Sequence, residues 1–389
     1  MSATTKRKNK ICAIICEYNP FHTGHAHLID LAKQKYDKVL CLMSGNFTQR
    51  AEPSVCDKYI RARIAINEGA DAVFALPTLY AAQSAQVFAE GAVNVLRNMN
   101  IDAICFGMEN PDVLLARRIA ESKTSEEFAK AIKEFLESGF SYATASAKAA
   151  ARISGEDADY VEKFLLSPNN LLAVEYLTAI TKYRLEWEIF AVKREGDYNG
   201  QELDGKYASA SAIRKALLCG DERAREFTPC YDEVVNAPHP DYELFESLTL
   251  AAIRGADKNA GASLLNAGEG IENKLIKNSS LPTLSSAIES TKTKRYTYAR
   301  IKRLCLDFLL EVKKSDLDFP TEFHPLLLAI KSEFLKDLNT VAPNAVITRA
   351  DYEKFTPFSF ARIEERAEKI YSLICSVPYT GYVKKLASV

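Results

Sequence analysis

Hydrophobic positions along the chain fall into short continuous runs, separated by segments whose apolar residues recur every three or four positions. The runs at 11–16 (ICAIIC) and 38–45 (KVLCLMSG) predict strands buried on both faces, and residues 25–35 between them carry helical spacing. The alternation continues with a helix over 59–70 closed by Gly69, a strand over 71–77 stopped by Pro77, a helix over 84–99 and a strand over 101–107. Strand and helix alternating at this interval call for right-handed crossovers. The pattern therefore predicts an α/β class with a parallel sheet covered on both faces.

Between Pro111 and Leu166 the strand signal vanishes, and two consecutive amphipathic segments predict a helical insertion. The α/β pattern then returns as a helix over 170–183, a strand over 186–194 and a helix over 211–220 closed by Gly220. Beyond it the chain reads as helical, with turn-rich spacers at 236–242 (NAPHPDY) and 376–382 (SVPYTGY). The expected organisation is a first domain over 1–225, holding the insertion at about 111–166, and a mainly helical C-terminal domain over 226–389.

Composition narrows this little. The 389 residues allow two or three domains, and 47% hydrophobic with 26% charged residues is ordinary globular usage. Fifty basic against 51 acidic side chains give a net charge of −1, so nucleic-acid binding has to come from a local patch. The nine cysteines, scattered mostly in apolar runs without a C-x-x-C pair, predict reduced core thiols in a cytoplasmic protein. The basic start at 1–10 is followed by an apolar run too short for a secretory signal, and no run is long enough to cross a bilayer, so no membrane partner is expected.

Candidate chemistry concentrates at 16–28, CEYNPFHTGHAHL, which holds three of the five histidines. A strand ending near Glu17, a turn through Asn19-Pro20 and a helix starting near Gly24 put His22 and His25 at the carboxyl edge of the first strand, where open α/β sheets bind ligands. A helix N-terminus offers free N–H groups and partial positive charge, which suits phosphate. A metal site is disfavoured, because His27 falls on another face of the helix and no Cys or acidic ligand completes a set. No metal ligand is assigned.

H-x-G-H at the end of a first strand resembles the signature of nucleotidyltransferases with HIGH-type motifs. With SGNFTQRAEPSVCDKYIRARIAINEGADAVFALP (44–77), QSAQVFAEGAV (83–93), CFGMEN (105–110), SPNNLLAVEYL (167–177), YASASAIRKAL (207–217), GEGIENKL (268–275) and TKTKRYTYARIKRLCL (291–306), most of the chain resembles the bacterial tRNA(Met) cytidine acetate ligase family. The resemblance implies a Rossmann-like nucleotidyltransferase fold and an enzyme that activates acetate with ATP as acetyl-adenylate, releasing pyrophosphate. It further implies transfer of the acetyl group to N4 of the wobble cytidine of elongator tRNA(Met), with magnesium accompanying ATP.

The resemblance implies an ATP segment of Ile15, Cys16, Glu17, Tyr18, Asn19, Pro20, Phe21, His22, Thr23, Gly24, His25, Ala26, His27 and Leu28, with His22 and His25 as the catalytic phosphate donors. It adds Gly107, one or both of Asn169 and Asn170, and Ser211 and Arg214 of the element expected to close over the triphosphate. Arg194 joins them as the cation at the carboxyl end of its strand, with a fork suited to phosphate. Gln49, Arg50 and Lys58 follow the second strand and can hold acetate, magnesium-bound phosphate or tRNA; in this loop Asn46 stands where the family usually has Ser, and Ala51 where it usually has Gly. For RNA the candidates are Lys292, Lys294, Arg295, Tyr296, Tyr298, Arg300 and Arg303, with Lys302 beside them: cations for phosphates and aromatic faces for unpaired bases. Two rival readings are an adenylyltransferase acting on a small phosphorylated metabolite and a non-catalytic tRNA-binding module.

Overall fold

Along β1 (Ile11–Cys16) successive side chains enter different cores: Ile11 and Ala13 join one, and Cys12, Ile14 and Cys16 join the other. The same division holds in β2 (Lys38–Ser44), β3 (Ala72–Leu76) and β4 (Ala103–Met108). Strands buried on both sides have no polar face to alternate with, so they read as unbroken apolar runs. The computed structural model describes residues 9–194, 202–203, 207–293, 296–384 and 387–388.

With β5 (Glu188–Lys193), β6 (Leu327–Ile330) and β7 (Ala387–Ser388), the strands form one sheet in the order β5-β4-β1-β2-β3-β6-β7. The five strands from β5 to β3 are parallel. The chain steps outward from β1 to β3 and then crosses to β4 on β1's other side, so the carboxyl ends of β1 and β4 flank the topological switch point. Helices Ala85–Leu96, Pro168–Lys182 and Phe358–Ile374 cover one face, while α1 (Thr23–Lys35), α2 (Lys58–Asn67) and helix Ala210–Leu218 cover the other. The insertion is four helices, Val113–Lys123, Glu126–Glu137, Tyr142–Ser154 and Ala158–Leu166, each capped by an Asp or Ser side chain that accepts a first-turn N–H.

Two features depart from the sequence expectation. The sheet is mixed, because β6 from the later half pairs antiparallel with β3 and β7 pairs parallel with β6. A four-residue run among helices, and two residues at the chain's end, carry too little period to be read as strands. Gly107 also lies inside β4 rather than at its end.

The later half contributes more than strands. Helix Phe358–Ile374 lays Glu364 and Glu368, one turn apart, over the carboxyl ends of β2 and β3. Glu364 accepts the Thr78 N–H, and buried Glu368 accepts from Lys58 Nζ at 3.0 Å and Asn46 Nδ2 at 2.9 Å. Arg61, fully buried, donates to the carbonyls of Cys56, Gly45 and Glu17, tying the loop after β2 to the end of β1. Helices Tyr242–Gly255, Ile271–Asn278, Leu284–Thr291 and Tyr298–Leu310 pack around a third core of their own.

Candidate active site

The histidine turn is built from reciprocal caps. His22 is the N-cap of α1, and its Nδ1 accepts the Gly24 N–H at 3.1 Å, while His25 Nδ1 accepts the His22 N–H at 3.2 Å. An Nδ1 that accepts from a backbone N–H carries no proton, so each neutral ring holds its proton on Nε2 and presents it as a donor. Burial pushes the His22 pKa down to about 3, with Arg194 adding to the effect; burial, His22 and Arg194 hold His25 well below its usual range. The rings stack with centroids 3.6 Å apart, and Phe21 and Tyr18 back His25. Gly24 allows this fold: a Cβ there would lie 3.0 Å from His22 Cε1. No acidic residue occupies the first turn of α1, leaving its positive end for an anion.

Both histidines line a cavity of about 240 Å3 at the switch point. Among the expected ATP residues, Ile15, Cys16, Glu17, Tyr18, Asn19, Gly24, His27, Leu28, Gly107, Asn169, Arg194, Ser211 and Arg214 line it as well. Pro20, Phe21, Thr23, Ala26 and Asn170 lie outside the lining. Asn19 shapes the turn, its Oδ1 accepting the Val55 N–H at 2.7 Å and its carbonyl accepting from Arg214 Nη1 at 2.7 Å. Arg50 Nη1 donates to Ser211 Oγ at 3.2 Å, bridging the loop after β2 to helix Ala210–Leu218. His27 stacks on Tyr207 at the rim, centroids 5.8 Å apart.

The two asparagines separate cleanly. Asn169, in the first turn of helix Pro168–Lys182, lines the cavity and is held by Glu109 Oε1 at 2.6 Å from its Nδ2. Asn170 is buried, with Oδ1 accepting the Asn110 N–H and Nδ2 donating to the Phe164 carbonyl. At Gly107 a Cβ would lie 2.8 Å from Arg194 Cγ, so this glycine lets the arginine stem lie across β4 with its guanidinium toward the histidine pair's surroundings. Glu17 accepts the Gln49 N–H at 2.7 Å, and burial pushes its carboxyl pKa up against the opposing pull of that bond and of Arg61.

A family model described as HIGH Nucleotidyl Transferase matches residues 9–384. A tRNA(Met) cytidine acetate ligase of Clostridium perfringens is 34% identical, over 94% of this chain and 95% of its own, and one of a Thermoanaerobacter species is 34% identical over 88% and 90%. The chain belongs to the tRNA(Met) cytidine acetate ligase family. Its fold is that of Thermotoga maritima TmcAL, with a TM-score of 0.88, 27% identity and 97% of each chain covered. A second crystal structure of that relative, bound with alpha-thio ATP, superposes with a TM-score of 0.85 at 27% identity over 94% of each chain.

Some positions of the segment after β2 serve the scaffold. Lys58, considered for acetate, phosphate or tRNA, is fully buried against Glu368 and cannot meet a ligand; that partner lies 310 residues away, beyond the reach of local pattern. Asn46, where the family usually has Ser, donates to Glu368 and accepts the Lys58 N–H at 2.7 Å. Ala51, where the family usually has Gly, sits at φ +57 in the left-handed region. Among the lining residues missed by sequence reasoning are Thr48, Glu52 and Tyr207, and Phe88, Phe106, Leu172 and Tyr176, which wall the cavity. Ordinary core-facing hydrophobics in helices and a strand carry no local signal of a site.

Part of the basic segment is engaged within the fold. In helix Tyr298–Leu310, Lys302 pairs with Glu52 of the cavity loop, and Arg300 pairs with Glu269 at 3.1 Å. Arg303 is partly buried, its Nε without a partner, and Tyr296 Oη donates to the Glu269 carbonyl. Lys292 and Tyr298 are exposed, while Lys294 and Arg295 lie outside the described residues. Among the described residues no three His, Cys, Asp or Glu side chains gather as a metal set, and no helix is long and apolar enough to cross a membrane.

Proposed function

We propose that this protein activates acetate with ATP and acetylates N4 of the wobble cytidine of elongator tRNA(Met) in the cytoplasm. The observation that carries this reading is the likeness to curated ligases over 94% of the chain, together with a pair of neutral imidazole donors at the switch point. In the first step an acetate oxygen attacks the α-phosphorus, the bond to the bridging oxygen breaks, and pyrophosphate leaves with the electron pair. Charge grows on the phosphates, and the Nε2–H groups of His22 and His25, the Arg194 guanidinium and the N-terminus of α1 stabilise it. Burial keeps the histidines neutral, so they act as hydrogen-bond donors without donating their protons outright.

In the second step the N4 amine attacks the acetyl carbon, AMP leaves, and the amine loses one proton. Carboxylates of Glu17 and Glu52 line the cavity and suit magnesium arriving with ATP, which when bound neutralises phosphate charge. The Lys302–Glu52 pair joins the basic helix to the cavity loop, supporting a tRNA path that runs from the C-terminal half to the adenylate. Acetate-dependent exchange of labelled pyrophosphate into ATP, and N4-acetylcytidine formed in purified elongator tRNA(Met), test the reading. Exchange with a phosphorylated metabolite but not acetate moves the protein to the adenylyltransferases. RNA binding without any exchange makes it a binding module.

A further inference from the structure

The cavity has two chemically different walls. On the α1 side stand the histidine pair and the helix N-terminus, whereas Phe88, Phe106, Leu172 and Tyr176 belong to the opposite face of the sheet and form an apolar wall. Phe106 and Tyr176 pack with ring centroids 5.6 Å apart, which fixes that wall. The Gln49 backbone N–H is bound to Glu17, but the carboxamide nitrogen of this cavity-lining side chain is buried with no partner. A buried amide left unsatisfied in a folded protein needs a reason.

A triphosphate needs donors and cations, which the first wall supplies; an apolar wall beside one amide donor suits a small amphipathic anion, with a carboxylate at one end and a methyl at the other. We propose that Gln49 holds the carboxylate of the acyl substrate while Phe88, Leu172 and Tyr176 enclose its methyl group and limit the acid to a short chain. This rests on the acetate-activating reading above and adds to it the residues that choose the acid. Glu17, whose carboxylate accepts the Gln49 N–H, would oppose the anion, and that bond together with Arg50 and Arg214 nearby tempers the opposition.

The test separates acid binding from turnover. Acetate binding is read by saturation-transfer NMR on the full chain with a non-hydrolysable ATP analogue present, and analogue affinity is measured on the same samples. Gln49→Ala is expected to weaken acetate about tenfold or more, the loss of a hydrogen bond to a charged group, while analogue affinity stays within twofold. Leu172→Ala is expected to shift the propionate-to-acetate preference about tenfold toward propionate. If wild type binds no acetate, if Gln49→Ala binds it equally well, or if acetate and analogue weaken together, the proposal is overturned. Acetate bound by wild type without pyrophosphate exchange would sink the proposed function and leave this assignment standing.

Discussion

Two polar clusters lie at the carboxyl edge of one sheet, and they have opposite characters. Over β2 and β3 the charges answer one another: Lys58 meets Glu368, Asn46 meets both, and Glu364 takes the Thr78 N–H. At the end of β1, beside β4, the polar groups are held in place yet left with spare valence: two imidazoles whose Nδ1 atoms are occupied and whose Nε2–H groups are not needed by the cap, and an amide nitrogen with no partner. Both are buried. What separates a scaffold from a site here is whether the hydrogen-bonding capacity is used up within the fold.

Breaking the closed cluster should cost stability. Glu368→Ala leaves Lys58 as a buried unpaired charge and is expected to destabilise the fold by about 3–5 kcal/mol, read by chemical denaturation, while the KM for ATP of the folded fraction stays near wild type. Breaking the open cluster should cost rate instead. His25→Ala is expected to lower pyrophosphate exchange by about 10²–10³-fold, the loss of one preorganised donor, with a much smaller change in denaturation midpoint.

Acid separates the clusters further. An unfolded histidine titrates near 6.5, and His22 in the fold near about 3, so between those values the unfolded chain binds more protons. The stability carried by the neutral rings is complete above about pH 6.5 and is lost as pH falls toward about 3. The drop in Tm from pH 7.5 to 5 should therefore be shallower in His22→Asn, which keeps an N-cap side chain, than in wild type. Buried Asp307, pushed up to about 7, titrates with the opposite sign and cancels in that difference. The smallest effect is expected at Ala51, whose left-handed backbone disfavours a Cβ: Ala51→Gly should gain about 1 kcal/mol in thermal denaturation, tightening the loop that joins the clusters.

Most of what could be read in the sequence was local. Strands β1 to β5 declare themselves as apolar runs, and His22, Gly24 and His25 announce a turn because the chemistry and the backbone requirement coincide within four residues. Gly107 is legible as a special position, and the structure adds a reason that local pattern cannot show, the Arg194 stem lying against it. Lys58 and Glu368 were opaque, since nothing near either residue marks its partner, and Phe88, Leu172 and Tyr176 look like any core residue until two helices converge. β6 was lost for a different reason: its strand identity comes from the edge of β3 that it meets.

The Lys58–Glu368 pair also has a meaning in time. The loop that carries Gln49 and Arg50 is anchored to a helix translated more than three hundred residues later, and Lys384 beyond that helix secures Asp57. A ribosome-bound chain can assemble β1 to β5 early, yet its loop stays unanchored until synthesis is nearly complete. A message cut short, or a chain clipped before the last helix, would thus lack the carboxylate that holds Lys58 and Asn46, and its loop would stay untied.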